Sequence, residues 1–182
     1  LLDLLREHGV RLRYIVNTHG HPDHTCGNGT LRANAGARIV MHAFDDDFFQ
    51  TREAQQWAAM MGFAPSPPAD LRVHDGSELS FGSLTLKFLH TPGHTPGACC
   101  LLIDGNLFTG DTLFVGAVGR TDLPGASFDQ LLESLRTKIL SLPPDTVVWP
   151  GHDYGDRPSS TVRQEMEHNP YITDFLLDED HD

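Results

Sequence analysis

One stretch constrains this chain more than any other. Thr18-His19-Gly20-His21-Pro22-Asp23-His24 gathers three imidazoles and a carboxylate within six residues. It follows Arg11 to Asn17 (RLRYIVN), a short run of β-branched and aromatic residues that predicts a buried strand ending at a polar turn. A loop this compact lets His19 and His21 converge on one metal ion while Asp23 and His24 turn to a second. The competing reading is a polar surface loop that happens to be His-rich. Four ligand-type side chains at one strand end weigh against it. Nitrogen and oxygen donors suit zinc-like divalent ions, and no thiolate is needed.

Three later positions share one context, a ligand-type residue beside glycine at the end of a predicted strand. They are His94 in Thr91-Pro92-Gly93-His94-Thr95-Pro96-Gly97, Asp111 in Thr109-Gly110-Asp111-Thr112, and His152 in Pro150-Gly151-His152-Asp153. Glycine lets a backbone bend and approach where a side chain would clash. Each position alone reads as structural. With the first loop they make five His and two Asp, enough for two metal sites that share a carboxylate.

The rest of the chain predicts mixed α/β layers. Leu1 to Leu5, stopped by Gly9, reads as the end of an amphipathic helix, and a weak helix to about Asn34 closes at Gly36 before a strand over Arg38 to His42. Phe44 to Met61 has helical periodicity, with Phe48, Phe49, Trp57 and Met60 as core candidates and Asp45-Asp46-Asp47 as a solvated helix start. Beyond the Pro-rich Phe63 to Asp70, short strands follow at Leu79 to Phe81, Leu84 to Leu89, Cys99 to Ile103 and Leu107 to Thr109. Asp104-Gly105 predicts a type I′ hairpin between the last two. Phe128 to Leu140 and Thr161 to His168 read as helices, Val147 to Pro150 as a strand, and Asp178 to Asp182 as an acidic, solvated tail.

Composition narrows the class. The 182 residues carry a formal charge of −12, which argues against a nucleic-acid or anionic-membrane surface. No apolar run reaches the roughly 18 residues of a membrane helix, and the start lacks a signal pattern. Three cysteines, Cys26, Cys99 and Cys100, do not make a disulfide framework and suit a reducing cytoplasm. Cys26 reads as a small buried thiol rather than a nucleophile. Cys99 and Cys100 point to opposite faces of one strand.

The set His19-x-His21-x-Asp23-His24, His94, Asp111, His152 resembles the metallo-β-lactamase superfamily. TPGHTPG, LFTGDTLFVGAVGRTDLPG, WPGHDYG and SSTVRQEMEHNPY look most similar to the glyoxalase II branch and its short bacterial relatives. The resemblance implies a four-layer αββα sandwich over residues 1–182 as one domain. One or two leading strands would precede Leu1, and no separate C-terminal glutathione-binding domain would follow. It implies that His19, His21 and His94 hold one ion, that Asp23, His24 and His152 hold the other, and that Asp111 bridges them. Zinc is the first expectation, with iron or manganese as alternatives.

The expected reaction is hydrolysis of a small thioester of the S-acylglutathione type. A metal-bridging hydroxide would be the nucleophile, oriented by Asp23. Arg120 is a candidate to grip a substrate carboxylate, or else a structural partner of Asp122; Tyr154 is a candidate to line the pocket or to pack. The alternative within the superfamily is a glutathione persulfide dioxygenase with a single iron, which keeps the same ligand residues. The nuclease line needs a basic surface that a charge of −12 does not provide. A different class altogether is a non-catalytic metal-binding module, against which all seven positions being filled weighs.

Overall fold

The computed structural model describes residues 1–177, so the expected acidic tail lies outside the described residues. Those residues form two compact units, Leu1–Val73 and His74 onward.

The first unit is built on a parallel sheet of three strands, β1 (Tyr14–Val16), β2 (Arg38–His42) and β3 (Leu71–Val73), in that order. Ile15 pairs with Ile39, and Val40 with Leu71. Parallel neighbours need long crossovers, and helices supply them. Between β1 and β2 run α2 (Pro22–Thr25) and α3 (Asn28–Ala35), closed by Gly36 in the left-handed region. Between β2 and β3 run α4 (Ala43–Phe49) and α5 (Arg52–Met60). α1 (Leu2–Glu7) precedes β1. Ile39 and Val40 are fully buried at the centre of the sheet.

The single helix expected over Phe44 to Met61 is in fact two. Thr51 is extended, and its hydroxyl accepts the Ala54 N–H, so a new helix starts there. The break turns Met60 outward, 87% exposed, while Phe49 is buried as expected. β3 was not foreseen in the sequence.

The second unit carries a six-stranded sheet. β4 (Glu78–Phe81), β5 (Leu84–His90), β6 (Cys99–Ile103) and β7 (Asn106–Gly110) form an antiparallel meander. Asp104 and Gly105 turn the β6–β7 corner with φ of 46° and 73°, the two positive values a type I′ turn requires. β8 (Leu113–Phe114) and β9 (Ala117–Val118) make a separate small hairpin. α6 (Phe128–Ser134) widens into a π-type turn over Leu135–Ile139 before β10 (Val147–Pro150) joins β7 in parallel, with Val148 beside Leu107. β11 (Ser160–Thr161) closes the edge, and Thr161 opens α7 (Val162–His168) with a reciprocal capping box to Gln164.

One sheet face and these helices share a core of Leu89, Cys100, Leu107, Leu113, Leu135, Ile139, Val148, Val162 and Ile172. Cys100 lies in it beside Thr91 and Thr109, and burial pushes its thiol up to about 11. Among the described residues no helix is long and apolar enough to cross a membrane.

Candidate metal centre

In the first unit the ligand loop leaves the C-terminal end of β1, where the Asn17 N–H donates to the Val40 carbonyl. Loops at the carboxyl ends of parallel strands are where such sheets place their chemistry. His21 is extended and Pro22 starts α2, so Asp23 and His24 leave the loop on a single helical turn. His19 and His21 are buried at 1% and 6% exposure. Their ring centres stand 5.0 Å apart, and those of His19 and His24 stand 4.1 Å apart. His24 Nε2 lies 3.4 Å from Asp23 Oδ2. The loop thus sets His19 beside both His21 and His24, and the exposed Asp23 beside His24.

Two features of α4 shape that loop. The Gly20 N–H donates to Asp45 Oδ2 at 2.8 Å, and a Cβ on Gly20 would overlap the Phe49 ring. The expectation of a solvated acidic helix start fails here. Asp45 is fully buried and Asp46 nearly so, accepting the Ala69 N–H at 2.8 Å. Only Asp47 is exposed, paired with Arg72 at 2.6 Å. Successive helical residues point about 100° apart, so three adjacent carboxylates meet three different surroundings. The sequence offered no signal for which of them would turn inward.

In the second unit His94 sits in the loop between β5 and β6, Asp111 follows β7, and His152 follows β10. They meet around one carboxylate oxygen: Asp111 Oδ2 lies 3.7 Å from His94 Nε2 and 3.5 Å from His152 Nε2. The His94 loop is held from several sides. His90 Nε2 donates to the Pro96 carbonyl at 2.9 Å, the Ser134 hydroxyl donates to the Pro92 carbonyl at 2.7 Å, and the Ser127 N–H donates to the Gly93 carbonyl at 2.8 Å.

The donor chemistry fits a divalent cation. His94 Nδ1 is 2.8 Å from the Arg120 carbonyl, which can only accept, so Nδ1 carries a proton and Nε2, on the Asp111 side, is the ring atom placed to ligate a cation. Gly151 serves the same end: a Cβ there would stand 2.5 Å from Asp111 Oδ1 and 3.0 Å from the Gly110 carbonyl carbon. Gly151→Ala is therefore expected to displace the carboxylate and weaken metal binding about 10- to 100-fold, as lost ligand orientation does elsewhere. Competition with a chromophoric chelator measures this. An unchanged affinity would show that the carboxylate has room to move.

The other candidates separate. The Arg120 guanidinium is exposed and binds Asp122 through two hydrogen bonds of 2.7 and 2.8 Å, which hold the Asp122 carboxyl down at about 2. Its contact with the centre is the backbone carbonyl on His94. Tyr154 is 70% exposed. Its ring stacks on His152 at 5.0 Å between centres and 10° between planes, and meets Phe114 edge-on. Cys26 is partly exposed rather than buried as expected.

Clustered imidazole and carboxylate donors at strand ends of a mixed α/β fold define a metal-binding protein. The chain belongs to the metallo-beta-lactamase superfamily, whose family model matches residues 1–152. It is similar to the mitochondrial persulfide dioxygenase ETHE1 of Homo sapiens, 35% identical over 173 residues that cover 93% of this chain and 60% of that protein. The chain thus spans less than two thirds of that relative's length. It is also similar to the probable metallo-hydrolase YqgX of Bacillus subtilis (strain 168), 32% identical over 176 residues, 95% of this chain and 82% of that one. Among solved structures, TTHA1623 in a di-iron-bound form matches with a TM-score of 0.80 and 36% identity, over 93% of this chain and 82% of that one. The expected fold class, that of the metallo-β-lactamases, is therefore the one found.

Proposed function

We propose that this chain is an iron-dependent enzyme that oxidises a small persulfide of the glutathione type with dioxygen. The observation that carries this reading is 35% identity to a persulfide dioxygenase over 93% of the chain. It reverses the order expected from the sequence, where thioester hydrolysis came first. A single iron of the oxygenase kind is satisfied by two imidazoles and one carboxylate with positions left open. His19, His21, Asp23, His24, His94, Asp111 and His152 offer more than that.

When bound, the iron supplies the redox chemistry that dioxygen requires. The chain's own residues do the rest. The Arg120 carbonyl fixes the tautomer of His94, Tyr154 restrains the ring of His152, and Asp111 supplies negative charge between the two imidazoles.

Hydrolysis of an S-acylglutathione-type thioester is the second reading. Its support is the shared position of Asp111 between two imidazoles, together with similarity to a di-iron-bound protein and to a probable metallo-hydrolase. In that reading His19, His21 and His94 hold one ion and Asp23, His24 and His152 a second, with Asp111 common to both and Asp23 accepting a hydrogen bond from the attacking water.

Elemental analysis with an oxygen electrode separates the two. Protein reconstituted with iron is expected to hold about one ion per chain, as a single oxygenase centre does, and to consume oxygen on glutathione persulfide. Two ions per chain, with thiol release from lactoyl-glutathione and no oxygen uptake, would overturn the first reading in favour of the second.

A further inference from the structure

We propose that Asp45 is a positioning residue for the metal centre: its buried carboxylate, with the Phe49 ring on the same face of α4, holds Gly20 so that His19 and His21 present their imidazoles in a fixed orientation. The inference rests on the reading of those two histidines as ligands.

Asp45 is wholly removed from solvent, an unfavourable place for an ionised carboxylate unless it accepts hydrogen bonds. One bond it accepts is the Gly20 N–H at 2.8 Å, which belongs to the peptide joining His19 to Gly20. Fixing that peptide plane fixes the backbone torsion on the C-terminal side of His19 and the one that begins Gly20. A residue bearing only an alkyl group could not do this, because a buried amide left without an acceptor is costly.

Four residues further along α4, Phe49 stands where a Cβ of residue 20 would project, and the His21 ring meets it edge-on at 5.3 Å between centres. Positions four apart share a helix face. One side of α4 therefore receives the backbone between two ligands and the ring of the second. Asp46 and Asp47, by contrast, turn to Ala69 and Arg72. Partners of this kind, which orient metal ligands without touching the ion, typically contribute 10- to 100-fold to metal affinity.

The test is titration of metal-stripped full-length protein with cobalt(II), reading both affinity, by chelator competition, and the visible ligand-field spectrum. Asp45→Ala is expected to weaken cobalt binding about 10- to 100-fold and to alter the spectrum. Asp45→Asn, which keeps the shape and an acceptor oxygen for Gly20, is expected to return the affinity to within about threefold, a smaller loss than removing the partner altogether. Leu135→Ala, a destabilised variant of the other unit's core, is expected to leave affinity and spectrum unchanged. If Asp45→Ala does not fold, Asp45→Glu carries the test, because one extra methylene pushes the carboxylate into the loop and the same loss is expected.

Wild-type cobalt affinity and spectrum in these variants would overturn the inference alone. So would a loss in Leu135→Ala equal to that in Asp45→Ala. Wild-type protein that takes up no cobalt would overturn the ligand reading itself.

Discussion

Asp111→Asn is expected to yield protein that retains no metal through purification and whose turnover falls about a thousandfold or more, which corresponds to roughly 4 kcal/mol of transition-state stabilisation. The substitution preserves shape, so the loss isolates charge and donor type. Asp111 Oδ2 lies within 3.7 Å of both His94 Nε2 and His152 Nε2. An amide there replaces an anionic donor either with a neutral oxygen or with an N–H₂ group that donates toward the imidazoles. Neither orientation of the amide restores the negative charge between the two imidazoles. Metal content by elemental analysis and oxygen uptake on glutathione persulfide check the result. Unchanged metal content would remove Asp111 from the ligand set under either functional reading.

The largest effect on stability is expected from Leu135→Ala. Leu135 is fully buried where α6 widens into the π-type turn, in the same core as Leu89, Leu107, Val148 and Val162. Removing most of its side chain forfeits transfer energy and leaves a cavity whose walls are a sheet and two helical segments, elements that collapse poorly. The expected cost is about 2–5 kcal/mol, the range for buried leucines. Urea unfolding monitored by circular dichroism measures it. A cost under about 1 kcal/mol would show that the wider turn repacks into the space, since cost depends on how well the site can collapse.

Much of the candidate site was legible because its signals are local. Three imidazoles and a carboxylate in one short loop need no tertiary information to be noticed, and Gly beside His94, Asp111 and His152 marked the later positions. The Asp104-Gly105 corner and the Gly36 stop were readable for the same reason, since each depends on its own φ. What stayed hidden depends on distant partners. β3 is three residues whose strand character comes from pairing with β2 roughly thirty positions earlier, as in Val40 with Leu71. The inward turn of Asp45 is not legible in the sequence because a triplet of aspartates gives no sign of which one points inward. Only the placement of Gly20 against α4 decides it. The break at Thr51 did carry a local signal, an N-cap residue before a new helical run, which the apolar periodicity on either side obscured.

The buried cysteine of β6 bears on chemical self-protection. A protein that handles reactive sulfur risks modifying its own thiols, and the species at risk is the thiolate. With its thiol held at about 11, Cys100 is ionised in roughly one molecule in ten thousand at neutral pH. It is also fully buried, in the core that Leu89, Leu107 and Val148 share. Persulfides and oxidised sulfur species released in solution therefore meet an inert side chain at that position. The packing that holds this sheet together also keeps it out of reach of the reaction proposed for the protein.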